Sequence, residues 1–434
     1  MTSLKRTLKS SDLTLLVVGG VIGSGIFLVP STVLKQAGSV RIAMLAWLAG
    51  GILSLFGALT YAELGAMNPS SGGLYAYTRD AFGRFPAFLF GWTMFFVIGA
   101  GTVATLAVAS ANYMGQFAEL TPLMKQLIAV GLIILMAVIN VRGVRGSAMV
   151  QNWATGIKAG AIIVMSLMLL LMSGTPVVPA DVPPLVASPA LLTSIGTAMI
   201  SVLWAYEGWQ YVTFAAGEAI DPQRTLPRSI VLGTVILIAI YMLANVAYLV
   251  ALGPEQMAAS ERVAGDATAA VLGPLAGQAI ALAIIISMYS AAHAIVITTP
   301  RVYYSMAQDG IFFKKLAEVH PKFGTPAFAI IASCAWAAVL AWSGTFEQLL
   351  TYVVFVGWIF YALGAAAVIV LRRTRPDAER PFRVPGYPWT PILFVLSAIA
   401  IVGNAIYAQP KEALIGLGVV FAGVPAYWFY NRKR

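Results

Sequence analysis

The chain has 434 residues, of which 59% are hydrophobic and only 10% are charged. A soluble domain carries about 25% charged residues, so the composition excludes a large soluble domain. The net charge of +10 does not indicate a nucleic-acid partner, because the basic residues are spread over short segments between apolar stretches. With two histidines and a single cysteine, Cys334, an intrachain disulfide is excluded, and neither a metal site nor a cofactor is predicted.

Twelve apolar stretches are long enough to cross a bilayer, which takes roughly 20 residues in a helix. They lie near 13–34, 42–66, 86–118, 124–141, 152–173, 190–216, 229–252, 273–306, 327–343, 349–371, 389–408 and 412–430. The sequence therefore predicts an all-α, polytopic membrane protein with both termini on one side. Twenty Lys and Arg residues fall on that side, including Lys5, Arg432, Lys433 and Arg434, and five fall on the other. Because basic residues mark the cytoplasmic side, we expect both termini in the cytoplasm and the chain in the plasma (inner) membrane.

The first apolar stretch is interrupted in its middle by Gly23, Ser24 and Gly25. Unwound backbone at membrane depth survives only where it is buried in protein or lines a cavity. The freed N–H groups at the start of the second half-helix would face an anion, helped by the helix dipole. The interruption therefore predicts a carboxylate site inside the membrane. The alternative is that such glycines only allow close helix packing, which we favour for Gly19 and Gly20.

The sixth apolar stretch is also interrupted, by Glu207 followed by Gly208 at its centre. Interrupted segments at corresponding positions of two halves indicate an inverted-repeat transporter with its site at the midplane. We expect one repeat over about 10–173 and a second over about 190–373, followed by two further spans at about 389–430.

Short motifs recur in order along nearly the whole chain and carry a family resemblance. They are GSGIF at 23–27, YAELGAM at 61–67, PSSGG at 69–73, WAYEGW at 204–209, GE at 217–218, DP at 221–222, LPR at 226–228, PRVYY at 300–304, DG at 309–310, HPKFGTP at 320–326 and PFRVPGYP at 381–388. In these motifs the chain resembles the amino acid–polyamine–organocation transporter superfamily, and most closely its L-type amino acid transporter branch. The resemblance implies five-plus-five inverted repeats, with helices one and six broken, that move amino acids by alternating access. The chain departs from many relatives at Glu207, where an uncharged residue is common, and at His293, where Asn is common, which leaves the substrate side chain open.

The predicted substrate site holds a zwitterion, so it needs donors at one end and acceptors at the other. The N–H groups of Gly23 to Gly25 and the hydroxyl of Ser24 are expected to bind the carboxylate. The carbonyls of Val21 and Trp204, with Glu207, are expected to accept from the α-ammonium. The full predicted set flanks the two breaks and is Val21, Ile22, Gly23, Ser24, Gly25, Trp204, Ala205, Glu207 and Gly208.

Two side chains of this set have competing interpretations. By resemblance, Trp204 is an aromatic lid over the bound substrate, and the alternative is an ordinary core or interface tryptophan. Glu207 is an acid near the bilayer centre, a costly placement that indicates function. It either reads a cationic or polar substrate side chain, or turns away and hydrogen-bonds the freed backbone N–H groups.

Lys158 lies well inside the fifth apolar stretch. Snorkelling to the interface is one interpretation. The sharper one places its ammonium against the carbonyls of the broken first span, where sodium-coupled proteins of this architecture hold a cation, so that sodium becomes unnecessary. A buried lysine also loses its proton readily, which leaves a role in proton coupling open.

Four charged residues near predicted cytoplasmic ends of spans, Glu63, Asp80, Glu218 and Arg301, are candidates for ion pairs that close an inner gate. The alternative is that they are solvated helix ends and caps. His293, on the eighth apolar stretch, either lines the pocket or is a packed histidine.

The predicted function is sodium-independent amino acid transport, as an exchanger working by alternating access. The alternative is a proton-coupled amino acid or polyamine symporter. A channel is disfavoured because no repeated filter or charged ring is visible, and a membrane-embedded enzyme because no paired acids or metal ligands are apparent. The expected partners are the free amino acid and the lipid bilayer, with no nucleic acid. Animal relatives pair through an external cysteine, and because Cys334 lies within a span, no covalent partner subunit is expected.

Overall fold

A computed structural model describes residues 6–431 except 116, 143, 175–188 and 345. Four of the basic residues counted in the predicted topology, Lys5, Arg432, Lys433 and Arg434, lie outside the described residues. Those described are almost entirely helical, and their one isolated β-bridge joins Leu8 to Ala219.

The described residues form seventeen α-helices. The first six are α1 (Ser10–Val21), α2 (Gly25–Ala37), α3 (Val40–Met67), α4 (Leu74–Phe82), α5 (Arg84–Thr93) and α6 (Gly99–Met114), the last two joined by a π-helical turn (Met94–Ile98). The next six are α7 (Pro122–Val141), α8 (Val144–Met172), α9 (Pro189–Ala205), α10 (Pro222–Ala259), α11 (Val263–Leu272) and α12 (Pro274–Thr298). The last five are α13 (Pro300–Gln308), α14 (Ala327–Ser343), α15 (Phe346–Thr374), α16 (Trp389–Ala408) and α17 (Pro410–Asn431). Two short 3₁₀ helices occupy Tyr211–Glu218 and Lys314–Ala317.

Helix length and apolarity support the predicted polytopic membrane protein. Within the described part of the chain, nine helical stretches are long and apolar enough to cross a membrane, and the bent pair α1–α2 makes a tenth. The two remaining predicted stretches, 190–216 and 327–343, coincide with the shorter apolar helices α9 and α14. The all-α, polytopic class is therefore confirmed, while the count of twelve crossings stays a prediction.

Both predicted interruptions are present in the backbone. Helix α1 ends at Val21 because Ile22 adopts an extended conformation, and α2 starts at Gly25 with its axis bent by 44°. Helix α9 ends at Ala205, and the following turn contains Gly208 at φ 125°, a value that strongly favours glycine. The broken segments sit at the centre of the bundle, because α1 packs against α8, α10 and α12 while α2 packs against α9 and α10.

Glycines set how closely the surrounding helices approach this centre. On α3, a Cβ built at Gly57 would lie 2.5 Å from the Trp209 ring and 2.7 Å from that of Phe394. Such distances are far below van der Waals contact. Only a residue without a Cβ therefore lets α3 pack this closely against the segment after the second break.

We expect Gly57→Ala to lower the thermal midpoint of the purified protein by several degrees, since overpacking a filled core costs about 1–3 kcal/mol. Gly131→Ala on α7 is the matched control, because a Cβ there would meet nothing within 4 Å. Fluorescence-monitored melting in detergent measures both. Equal midpoints for the two variants would contradict the close approach of α3.

Candidate functional site

The break between α1 and α2 leaves donors without backbone acceptors. Among the described residues, the N–H groups of Gly23, Ser24 and Gly25 have no backbone acceptor, whereas the N–H groups of Phe27 and Leu28 donate to the Ser24 carbonyl. These free donors lie at the N-terminal end of α2, where the helix dipole also favours an anion. The break therefore has the donors that a carboxylate requires.

The carbonyl end of α1 is occupied by a cation. The Lys158 ammonium, on α8, donates to the carbonyl of Gly19 at 2.6 Å and to that of Ile22 at 2.7 Å. The Ser287 hydroxyl also donates to the Ile22 carbonyl, at 3.3 Å, and the Ser287 carbonyl lies 3.5 Å from the ammonium. Lys158 is buried, so it does not snorkel to an interface. The structure thus places a positive charge where the unwound end of α1 presents its negative dipole.

One hydroxyl group links the two breaks. The Tyr241 side chain, on α10, contacts the Val21 carbonyl at 3.1 Å and the Ala205 carbonyl at 3.0 Å. Both carbonyls belong to the last residue of a helix that ends at a break, and the single Tyr241 O–H can donate to either of these orphan groups of α1 and α9. Sequence analysis missed this residue, because a tyrosine inside an apolar span carries no motif signal.

Glu207 is held by side chains rather than by backbone. Its Oε1 accepts hydrogen bonds from the amide of Gln210 at 2.7 Å, from the hydroxyl of Tyr211 at 3.1 Å and from the hydroxyl of Tyr361 on α15. Its Oε2 has no hydrogen-bond donor among the described residues. Of the two interpretations left open for Glu207, the structure does not show the one in which it braces freed backbone N–H groups.

The second break needs no such brace because its backbone is largely self-satisfied. The N–H of Glu207 donates to the Trp204 carbonyl at 3.1 Å, and that of Tyr211 donates to the Gly208 carbonyl at 3.1 Å. The Trp204 carbonyl, predicted to accept from the substrate ammonium, is thus already engaged once, and so is that of Val21. Each carbonyl oxygen has a second lone pair to offer.

The glycines of the breaks also serve close packing. A Cβ at Gly25 would overlap Cα of Ala205, and one at Gly23 would lie 3.1 Å from Leu106. A Cβ at Gly208 would lie 3.0 Å from the carbonyl oxygen of Gly20. The packing interpretation therefore holds at Gly25 alongside its free N–H, and the two breaks lie directly against each other.

A cavity of about 850 Å³ lies between the C-terminal part of α2, helix α9 and the residues around the start of α11. Its lining includes Leu28 on α2, one turn from Ser24, and Ile200 on α9, one turn from Trp204. The indole of Trp204 is buried and donates to the Ser24 hydroxyl at 3.3 Å. The Trp204 ring therefore contacts the first break, one turn along α9 from a residue that lines the cavity.

The face of the bundle that carries the described chain ends, here called the terminal face, is closed. The buried Arg301 guanidinium pairs with Glu218 at 2.8 Å and donates to the Ile297 carbonyl. The N–H groups of Thr7 and Leu8 donate to the Glu218 carbonyl at 2.8 and 3.0 Å. The predicted residues Glu218 and Arg301 are thus brought together, beneath the N-terminal segment.

Glu63 is the centre of a second closure. Its carboxylate receives two hydrogen bonds from Arg372, at 2.6 and 2.8 Å, and lies 3.5 Å from Arg380. It also accepts the Val384 N–H at 2.7 Å. This arrangement fixes the 376–388 connection, between α15 and α16, against the end of α3. Sequence analysis singled out Glu63 but not its arginine partners, which lie more than 300 residues away.

Asp80 belongs to a third cluster at this face, on α4. It lies 3.2 Å from Arg79 and 3.4 Å from Arg375, while Arg79 also reaches Asp309 at 2.6 Å. The Tyr75 hydroxyl donates to Asp309 at 2.6 Å. Burial, and then this hydrogen bond, raise the pKa of Tyr75 above its ordinary value, so the hydroxyl remains a donor.

His293 is not brought to the first break. On α12, Ser287 contacts the Ile22 carbonyl and Ala291 faces Gly23, with 3.3 Å between Cβ positions. His293 lies two residues beyond Ala291, about 200° further round the helix. Its ring is buried and stacks on Tyr289, with 6.3 Å between ring centres. The structure therefore favours the packed histidine over the pocket residue.

Two broken helices that meet at the centre of a polytopic bundle, with ion pairs at one face and a cavity towards the other, are the arrangement of a membrane transport protein. A family model described as amino acid permease matches residues 8–423, so the chain belongs to the amino acid permease family, whose members are transporters and not enzymes. The resemblance predicted from the motifs is confirmed.

Relatives of known activity cover almost the whole chain. The serine/threonine exchanger SteT of Bacillus subtilis (strain 168) is 30% identical over 424 residues, which are 96% of this chain and 95% of that protein. The human cystine/glutamate transporter is 31% identical over 422 residues, 96% of this chain and 83% of the relative. The human large neutral amino acids transporter small subunit 2 is 30% identical over 424 residues, 95% of this chain and 78% of the relative.

We expect Gly25→Ala to abolish amino acid binding, because the added Cβ would push α2 away from α9 and displace the free N–H groups. Gly20→Ala is the matched control, since the nearest atom to its Cβ would be 3.9 Å away. Calorimetric titration of the two purified variants, each first shown to elute as a single folded species, measures the effect. Wild-type affinity in Gly25→Ala would remove the first break from the binding site.

We expect Glu207→Gln to weaken cationic or polar substrates selectively, because the free Oε2 loses its negative charge while the side-chain volume is retained. Tyr361→Phe is the contrasting variant, since it removes a donor to Oε1 and keeps the charge; it should affect all substrates alike. Competition of a labelled substrate by a panel of amino acids distinguishes the two patterns. An unchanged profile with full rates in Glu207→Gln would show that Glu207 does not contact the substrate.

Proposed function

We propose that this protein exchanges amino acids across the membrane by alternating access and does so without sodium. The observation that carries the proposal is the Lys158 ammonium at 2.6 and 2.7 Å from two carbonyls of the broken helix α1. In sodium-coupled transporters built on broken helices, half-helix carbonyl ends coordinate the ion. Here the Lys158 ammonium would take the place of that ion, so α8 would stay attached to the end of α1 whether or not sodium is present.

The substrate is proposed to be a free amino acid lying across the two breaks. Its carboxylate would accept from the N–H groups of Gly23, Ser24 and Gly25, which have no backbone acceptor in the described chain. Its ammonium would use the remaining lone pairs of the Val21 and Trp204 carbonyls. The exchangers and transporters among the relatives support this substrate class.

Alternating access requires that one face close while the other opens. The ion pairs of Glu218, Glu63 and Asp80 are proposed as the gate at the terminal face, and Trp204 as the lid beneath the cavity on the other side. Two repeats, about 10–173 and 190–373, supply the two halves of this motion, since each begins with a broken helix.

The topology proposed for this chain puts the terminal face in the cytoplasm, in the plasma (inner) membrane, because basic residues accumulate there. A relative is named as a small subunit, which indicates a second subunit for that protein. For this chain we propose no covalent partner, since its one cysteine, Cys334, is buried in α14.

Proton-coupled symport of an amino acid or polyamine is the second candidate, and the same lysine favours it. A buried ammonium that releases its proton during the cycle would loosen α8 from α1 and couple proton movement to transport. The free Oε2 of Glu207 would suit an additional positive charge on the substrate.

We expect uptake of labelled amino acid into proteoliposomes to be unchanged when choline replaces sodium, and to be stimulated by internal amino acid. Lys158→Ala should slow exchange at least tenfold, because α1 loses its link to α8, whereas the exposed Lys411→Ala serves as a control. An absolute sodium requirement would overturn the role given to Lys158. Strong uptake into empty vesicles driven by a pH gradient would replace exchange with symport.

A further inference from the structure

A second cavity, of about 710 Å³, lies at the terminal face, far from the breaks. Its walls come from α3, from the first turns of α10 and from the 376–388 connection, and most of its lining is apolar. The lining residues that the argument uses are Leu59, Arg224, Arg228, Leu232, Val235 and Phe382. The motifs LPR and PFRVP contribute to it.

The two arginines of this cavity lack partners. Arg224 and Arg228 are one helical turn apart, are exposed, and form no side-chain hydrogen bond or ion pair with any described residue. By contrast, Arg301, Arg372 and Arg375 at the same face are each paired with a carboxylate. Two adjacent unpaired guanidinium groups present donors that match a phosphate.

The rest of the cavity is an apolar cleft that continues from the arginines along α10. Leu232 and Val235 are each 46% exposed on the same side of the helix as Arg228. They belong to the apolar part of the helix, so they lie at the depth of lipid chains, and the arginines lie at its edge. The cleft therefore combines a charged mouth and an apolar groove in the order in which a phospholipid carries its headgroup and acyl chain.

The far wall of the cleft is fixed rather than loose. The Val384 N–H donates to Glu63 at 2.7 Å, the Thr390 hydroxyl donates to the Pro385 carbonyl at 2.6 Å, and the Arg372 guanidinium lies 3.8 Å from the centre of the Tyr387 ring. These contacts hold Phe382 opposite α10, so the groove exists before any ligand enters it.

We propose that this cleft binds an anionic phospholipid, with its phosphate at Arg224 and Arg228 and one acyl chain along Leu232 and Val235. Each basic side chain near an anionic lipid contributes about fivefold in affinity. The bound lipid would join α10 to the 376–388 connection, next to the Glu63 cluster. The proposal is independent of which substrate the protein carries.

The test is native mass spectrometry of the delipidated protein titrated with phosphatidylglycerol or phosphatidylcholine of equal chain length. We expect phosphatidylglycerol to be retained at least tenfold more strongly. Arg224→Gln with Arg228→Gln should abolish that preference, lowering phosphatidylglycerol affinity about twenty-five-fold. Arg373→Gln is the matched control, because Arg373 is exposed at the terminal face but lies outside the cavity lining.

A second variant separates lipid from free anion. Leu232→Trp should fill the groove and weaken phosphatidylglycerol while both arginines remain. Inorganic phosphate at millimolar concentration should not displace the lipid from the wild-type protein. Equal retention of the two lipids, unchanged binding to the double variant, or complete displacement by inorganic phosphate would each overturn the proposal.

Discussion

The contact on which the rest of the site depends is the Lys158 ammonium against the last carbonyls of α1. A helix that stops in the middle of a membrane leaves carbonyl groups without donors, and lipid cannot supply any. Lys158, Ser287 and Tyr241 satisfy the carbonyls of Gly19, Ile22 and Val21 between them. With the carbonyl end of α1 satisfied, the break between α1 and α2 can remain unwound, and the N–H groups at the start of α2 remain available for the proposed carboxylate.

The sequence alone predicted the features that depend on neighbouring residues, such as the helix breaks. Glycines at 23, 25 and 208 mark interrupted spans: the φ of 125° at Gly208 favours glycine, and at Gly25 a Cβ would overlap Ala205. A lone lysine within an apolar stretch marks a polar contact. What the sequence could not predict is pairing over long separations. Tyr241 gives no signal in an apolar helix, and nothing local to Glu63 indicates Arg372. The side of a helix is equally hidden, which is why His293 was expected as readily in the pocket as in the packing.

The two breaks differ in how their backbone groups are satisfied. At the first break the carbonyls accept from a lysine and the N–H groups have no backbone acceptor among the described residues, whereas at the second break the backbone bonds mostly to itself. The Glu207 carboxylate is therefore not needed to satisfy backbone groups. Phenol and amide donors bind its Oε1, and its Oε2 has no donor among the described residues. In the proposed site this asymmetry would give a backbone half, which suits what all amino acids share, and a side-chain half, which suits what distinguishes them.

The Glu63 cluster has a consequence for the way the terminal face opens. One carboxylate accepts from Arg372, lies beside Arg380 and accepts the N–H of Val384, so α3, α15 and the following connection share a single acceptor. If that carboxylate withdraws, the Arg372 guanidinium and the Val384 N–H lose their acceptor at once, and each is costly to leave unpaired away from water. A partly released cluster is therefore less stable than either a complete or a fully hydrated one. Opening at this face would then be a two-state event, with few intermediates, rather than a gradual widening.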